Sequence, residues 1–166
     1  MQLLKVLVTG LFGLILFTAC KTSPASTVKR TGTTSSASSS LASMETSILA
    51  EVNRHRKSKG LPALQSNSYI ETEASLHSQR MASRQVAFGH GGYETRVSRL
   101  SKRLGGISAS AENVAYGSMN AREVVQGWLK SPPHRKNIEG RFNLTGIGVS
   151  RNSKGVIFFT QLFMLK

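Results

Sequence analysis

Val156-Ile-Phe-Phe-Thr-Gln-Leu-Phe-Met-Leu165 is the stretch on which the fold turns, because only Thr160 and Gln161 interrupt its apolar run. A run of this length without alternation reads as a central strand covered on both faces. Just before it, Arg151-Asn-Ser-Lys-Gly155 has turn composition, and Leu144 to Ser150 alternates through Ile147 and Val149. The chain is therefore expected to end in a hairpin. Upstream the apolar period is helical. Helices first and a terminal hairpin afterwards give an α+β layered domain rather than a parallel α/β sheet.

Working outward, Met44, Ile48, Leu49, Val52 and Arg56 recur at helical spacing, with Ser43 as the expected N-cap and Gly60 and Pro62 as the stop. Ser68-Tyr-Ile-Glu71 reads as a capping box opening a helix that carries Ile70, Ala74, His77 and Met81 on one face. Phe88-Gly-His-Gly-Gly92 is predicted as loop. Val97, Leu100 and Leu104 suggest a third helix closed by Gly105-Gly106. Asn120 to Glu123 opens a fourth, with Val124, Val125, Trp128 and Leu129, stopped by Ser131-Pro-Pro-His134. Among those neighbours Trp128 reads as a core anchor before a sugar-stacking platform.

The 166 residues hold 22 Lys and Arg against 8 acids, all of them Glu, and a single Cys. One cysteine excludes a disulfide scaffold and multi-cysteine metal sites. The absence of Asp excludes a Ser-His-Asp triad and an EF-hand loop. Four basic residues precede Met44, so the segment from Met44 on carries +10. The basic residues are scattered, without the aromatic interleaving of a nucleic-acid groove, so no nucleic-acid partner is expected. Anionic envelope polymers or lipids are the natural counter-surface.

Residues 1–19 read as a signal peptide: Lys5 precedes an uncharged, mostly apolar Val6–Ala19 segment, shorter than the roughly 18 apolar residues of a membrane span. Phe17-Thr-Ala-Cys20 resembles a lipoprotein cleavage site, with Phe17 where Leu is usual, which makes Cys20 the expected lipidation site. An ordinary secretory signal is the alternative. Residues 20–43 are more than half Ser and Thr, without acid or aromatic, and are expected to form a flexible tether. Lys21, Lys29 and Arg30 would favour an anionic membrane surface. The folded domain is expected over 44–166, as a monomer exported and held at the membrane through an N-terminal lipid.

The chemistry available lies in His, Glu, hydroxyls and amides. His55 sits in a charged helix end and reads as solvated or partly packed; His77 shares an apolar face and reads as a core histidine with one satisfied hydrogen bond. His90 and His134 fall where glycines or prolines present a ring at the surface. Glu112, flanked by small apolar residues, is expected to be partly buried and to need a partner, for which a loop imidazole is the candidate. Glu71 and Glu123 read as caps; Glu45, Glu51, Glu73, Glu94 and Glu139 as surface residues. Gln161 must find a partner on its two-faced strand, and the cleft edge is the expected place.

Several motifs then occur in order: Asn53 with Arg56, Gly60-Leu-Pro62, Ala74-x-x-His77, Met81-Ala82, Phe88-x-His90, Ala111-Glu-Asn113, Trp128-x-x-Ser-Pro-x-His-Arg135, Asn137-Ile138, Gly146-Ile-Gly-Val149 and Thr160-Gln-x-Phe163. Together they resemble the CAP superfamily, or SCP domain, in its short bacterial branch, over nearly all of Met44 to Lys166. The resemblance implies an α-β-α sandwich with a small antiparallel sheet between helical layers. It also implies a cleft of two histidines and two acids that in some members binds a divalent metal. His90, Glu112 and His134 match three of the four positions. Ser131 stands where the eukaryotic branch has Glu, and the eukaryotic Gly-His-Tyr-Thr motif is missing. Asn113, Ser131 and Gln161 are expected to support the cleft.

Two imidazoles and one carboxylate can form a catalytic zinc shell with an open position. Ligating imidazoles need further acceptors to fix their tautomers, and acids are scarce here, which favours an unmetallated His/His/Glu cluster. Three functions follow. The first is a binding module that holds an envelope polymer or lipid-like ligand. The second is a peptidoglycan-cleaving enzyme with His90 and His134 as acid and base and Glu112 orienting one ring. The third is a purely structural polar cluster. The enzyme is disfavoured because glycosidases usually use two carboxylates.

Overall fold

The computed structural model describes residues 33–166, with side chains from Ser40 onward. The expected signal peptide, the lipidated Cys20 and the tether as far as residue 32 lie outside the described residues. Five helices and four strands occur among the described residues: α1 (Thr33–Ser58), β1 (Gln65–Ser66), α2 (Ser68–Ala82), α3 (Tyr93–Leu104), β2 (Ala109–Gly117), α4 (Ala121–Lys130), α5 (Pro132–Ile138), β3 (Leu144–Arg151) and β4 (Ile157–Leu165).

The strands order β1-β3-β4-β2, which makes the apolar C-terminal strand β4 internal. It pairs antiparallel with β3 on one side and with β2 on the other. The sheet is mixed rather than wholly antiparallel, because the two-residue β1 pairs with β3 in parallel. Ile48, Val52, Val124, Trp128, Phe159 and Phe163 pack the layer of α1, α4 and α5 onto one face. Ile70, Ala74, Leu100, Leu104, Leu162 and Met164 pack α2 and α3 onto the other. β4 feeds both clusters by alternation, as a two-faced strand must.

The Gly146-x-Gly148 pair explains how closely α2 approaches the sheet. A Cβ on Gly146 would lie 2.2 Å from the backbone nitrogen of Glu71, and one on Gly148 would lie 2.1 Å from that of Ser75. Backbone is therefore laid on backbone. The Ser78 hydroxyl fixes the contact, bonded at 2.8 Å to both the Gly148 carbonyl and the Thr160 hydroxyl.

Several expectations need correction. α1 includes Thr33–Ser43, so that stretch is helical rather than tether, and Ser43 is inside the helix instead of capping it. Once Ile48 and Val52 are anchored, each added residue costs only propagation, and Leu41 and Met44 add contacts to the core. The cap of α2 is Asn67, whose Oδ1 accepts from Tyr69 N and Ile70 N; Glu71 bonds to the Ser66 hydroxyl instead. The two prolines end α4 but start α5 at once, because proline is tolerated in a helix's first turn. His134 is consequently helical. Glu45 is not a surface acid: it accepts the Val149 N–H at 2.8 Å, and burial raises its pKa although that bond opposes the rise. Glu139 and Glu73 do lie at the surface, each in an ion pair: Glu139 with His55 at 2.8 Å, and Glu73 with both arms of Arg99.

Candidate functional site

His90 sits at the centre of the loop between α2 and α3, and the loop is held from beneath. His77, 2% exposed, places Nε2 2.8 Å from the Gly89 carbonyl oxygen, so that nitrogen carries the proton and donates. Burial lowers the His77 pKa, which suits a neutral ring with one satisfied donor. The expected core histidine thus also braces the residue next to His90.

Glu112 projects from β2 toward the α2–α3 side of the sheet. Its side chain is 2% exposed, while that of His90 is 53% exposed. His90 Nδ1 lies 2.9 Å from Glu112 Oε1. The other oxygen is taken by Arg96 on α3: Nε donates to Oε2 at 3.1 Å and Nη2 at 2.7 Å. Arg96 Nη1 also donates to the Gly91 carbonyl, tying the guanidinium to the His90 loop. With Nδ1 facing a carboxylate, the Nε2 atom of His90 is left for solvent or ligand.

Sequence reasoning found the acid and one partner but missed the stronger partner. Arg96 stands one turn before Leu100 on the buried face of α3, and a cation on an apolar face needs an acid. Glu112, an acid among small apolar residues, was the complementary signal. Tyr93 was missed too; its hydroxyl donates to Ser110 Oγ at 2.7 Å. His90, Tyr93, Ser110, Glu112 and Asn137, with Ala111, line an open recess of about 340 Å³.

The opposite wall comes from α5. Asn113, fully buried on β2, donates to the His134 carbonyl at 3.1 Å and accepts from Asn137 Nδ2 at 2.8 Å. Asn137 also donates to the Glu112 carbonyl on the outer edge of β2, and Trp128 Nε1 donates to Val114 O on the same edge. Side-chain donors from α4 and α5 thereby cover a strand edge that would otherwise be open. Trp128 is core, 2% exposed.

The His134 ring is half-buried; burial lowers its pKa, and the charge of His90 lowers it further. It neighbours the His90–Glu112 pair without joining it. Among the described residues, no group of three His, Cys or Glu side chains is arranged to hold a metal. The donor set does not fit zinc at this point, because the Arg96 guanidinium occupies one oxygen of Glu112 and the His90 ring the other. Ser131 lies at the α4–α5 junction without a side-chain capping bond. Gln161 is not at the cleft edge; it is buried in β4, donating to Thr145 Oγ1 at 3.2 Å while Oε1 has no protein partner.

The model of the cysteine-rich secretory protein family (CAP) matches residues 49–163. The chain is 34% identical over 142 residues to an uncharacterized protein of Bacillus subtilis, YkwD, covering 84% of this chain and 54% of YkwD. It therefore spans about half the length of that relative. An extracellular protein of Bacillus anthracis that contains an SCP domain has a similar structure, at 29% identity and TM-score 0.65, over 76% of this chain and 41% of that one. An outer surface protein of Borrelia burgdorferi shares the fold at 18% identity and TM-score 0.62, over 72% of this chain and 90% of that one. Of these two solved proteins the first is extracellular and the second an outer-surface protein.

Proposed function

The chain belongs to the cysteine-rich secretory protein (CAP) family, and from that premise we propose that it is an exported binding module whose recess takes a hydroxylated segment of an envelope polymer. One observation carries this reading: both oxygens of Glu112 are engaged, by Arg96 and by His90. What the recess offers a ligand is one exposed imidazole nitrogen together with phenol, hydroxyl and amide groups. Such a set recognises alcohols by hydrogen bonds. It lacks the second carboxylate that glycoside cleavage ordinarily requires. The module works as a monomer, kept at the membrane by acylation of Cys20, and it adheres to anionic polymers or lipids through its net positive charge.

The test is incubation of the full chain with purified peptidoglycan sacculi. Co-sedimentation without release of soluble fragments is expected, and His90→Ala should weaken retention about fivefold, as loss of one ligand hydrogen bond does. Soluble muropeptides released by the wild type and not by His90→Ala would replace binding with cleavage, His90 then acting as a base oriented by Glu112. Labelled-acyl incorporation should vanish in Cys20→Ser; if it persists, the anchor is elsewhere.

A further inference from the structure

Two cavities that have no lining residue in common with the His90 recess share one residue with each other, Arg84. The first, about 480 Å³, lies between the end of α2 and the β3–β4 turn. Three cations line it, Arg84, Arg151 and Lys154, with the hydroxyls of Ser83, Ser150 and Ser153, and no acid is among its lining residues. The second, about 510 Å³, is apolar and walled by Phe88, Tyr116 and Phe158. Those rings form a ladder: Phe88 meets Tyr116 edge-on at 4.7 Å, and Tyr116 stacks on Phe158 at 5.8 Å. Tyr116 and Phe88 are 57% and 47% exposed, two of the three large apolar side chains left in solvent among the described residues.

The cap of α2 requires a left-handed backbone at position 84 but does not require an arginine there. Arg84 follows the cap of α2 with φ 60°, in the left-handed region, in a Schellman turn: its own N–H donates to Met81 O, and Gln85 N–H donates to Arg80 O. Glycine fits that position without strain, and an arginine there is held against its preference. A cation near a helix C-terminus is mildly favourable, but Arg80 already supplies one in the last turn. The side chain that the strained backbone presents is common to both cavities.

We propose that this surface is a second binding site, separate from the His90 recess, for an acidic glycan. A sugar ring packs against the Phe88–Tyr116 wall, and the carboxylate or phosphate it carries enters the Arg84–Arg151–Lys154 pocket. Aromatic walls and a discrete polar pocket side by side match a ligand with an apolar ring face and one anionic group. A bilayer would instead meet cations projecting around an inserted wedge; here they line a recess supplied with hydroxyl partners for neighbouring sugar alcohols.

The experiment is calorimetric titration of the full chain with tetragalacturonate, chitotetraose, inorganic phosphate and phosphatidylglycerol vesicles, for the wild type, Arg84→Gly and Tyr116→Ala. Tetragalacturonate should bind the wild type, more tightly than neutral chitotetraose, and each substitution should weaken it at least about tenfold. Arg84→Gly should melt no lower than the wild type, since glycine relaxes the turn, so its loss of binding is not unfolding. Undiminished tetragalacturonate binding in Arg84→Gly overturns the site. Inorganic phosphate binding as tightly as tetragalacturonate overturns the sugar contact, and vesicle binding without tetragalacturonate binding replaces the glycan by a membrane.

Discussion

Arg56 and Arg96 are both buried, 1% and 5% exposed, yet their charges are satisfied in opposite ways. Arg56, on α1, meets only carbonyl oxygens: Nε donates to Pro62, Nη1 to Ile138 and Gly140, each at 2.8 Å, and Nη2 to Phe142 at 3.2 Å. Its burial lowers its pKa, as expected for a cation without an anion. Arg96 meets a carboxylate, and through it an exposed imidazole. The first arrangement welds: one guanidinium joins α1, the loop after it and the turn after α5. The second sets up a surface, because the ion pair fixes Glu112 and Glu112 fixes the His90 ring. The charge is the same; the partner decides whether it serves the fold or the site.

The hardest test of this contrast is Arg56→Met. Four carbonyls lose a donor together, so unfolding in urea should show a loss of about 4 kcal/mol or failure to fold, and no second substitution should rescue it. Arg96→Met should cost about 3 kcal/mol, because a buried carboxylate is left uncompensated, and Arg96→Met/Glu112→Gln should recover at least half of that. A rescue measured for one arginine and not the other confirms the contrast; none for either would mean that Arg96 is also only a weld.

Next in size is a pH effect carried by the two histidines whose pKa burial lowers, His77 and His134. His77 has its folded pKa depressed below 6.5 by burial, so the unfolded chain binds the proton more readily. Stability is then complete above 6.5 and declines as pH falls through it. The melting temperature should drop by a few degrees between pH 7.5 and 5.5, and His77→Gln, which keeps an N–H donor for the Gly89 carbonyl, should make that slope shallower, His134 supplying the remainder. The smallest effect belongs to His90→Gln. Its ring is half exposed, so stability should change by less than about 0.5 kcal/mol in the urea titration, while polymer retention falls. A large destabilisation would make His90 a structural residue and weaken the binding reading.

Legibility followed the range of the interaction. The β3–β4 hairpin, the Asn120–Glu123 capping box and the Gly105 stop of α3 were all readable, because each rests on contacts within a few residues. β2 was not recognised as a strand: Ala109–Gly117 mixes Glu112 and Asn113 into small residues, and its strand character comes from pairing with β4. The reach of α1 back to Thr33 was hidden for a similar reason, since its Ser-rich start has no apolar period and is carried by the anchored turns that follow. At the site, His90 and Glu112 were named from glycine context and isolation, whereas Arg96 passed as one more basic residue among 22.

The sequence by itself determined the layers, through apolar periods of helix and strand, and the family, through motifs in order along most of the chain. Only the tertiary structure decided which charge meets Glu112, that His134 stands beside the pair rather than in it, and that Arg84 joins a basic recess to an aromatic wall. Periodicity is a local property of the backbone and is written along the chain. Pairing of charges is decided by distances of a few ångströms between segments, and those exist only once the layers have closed.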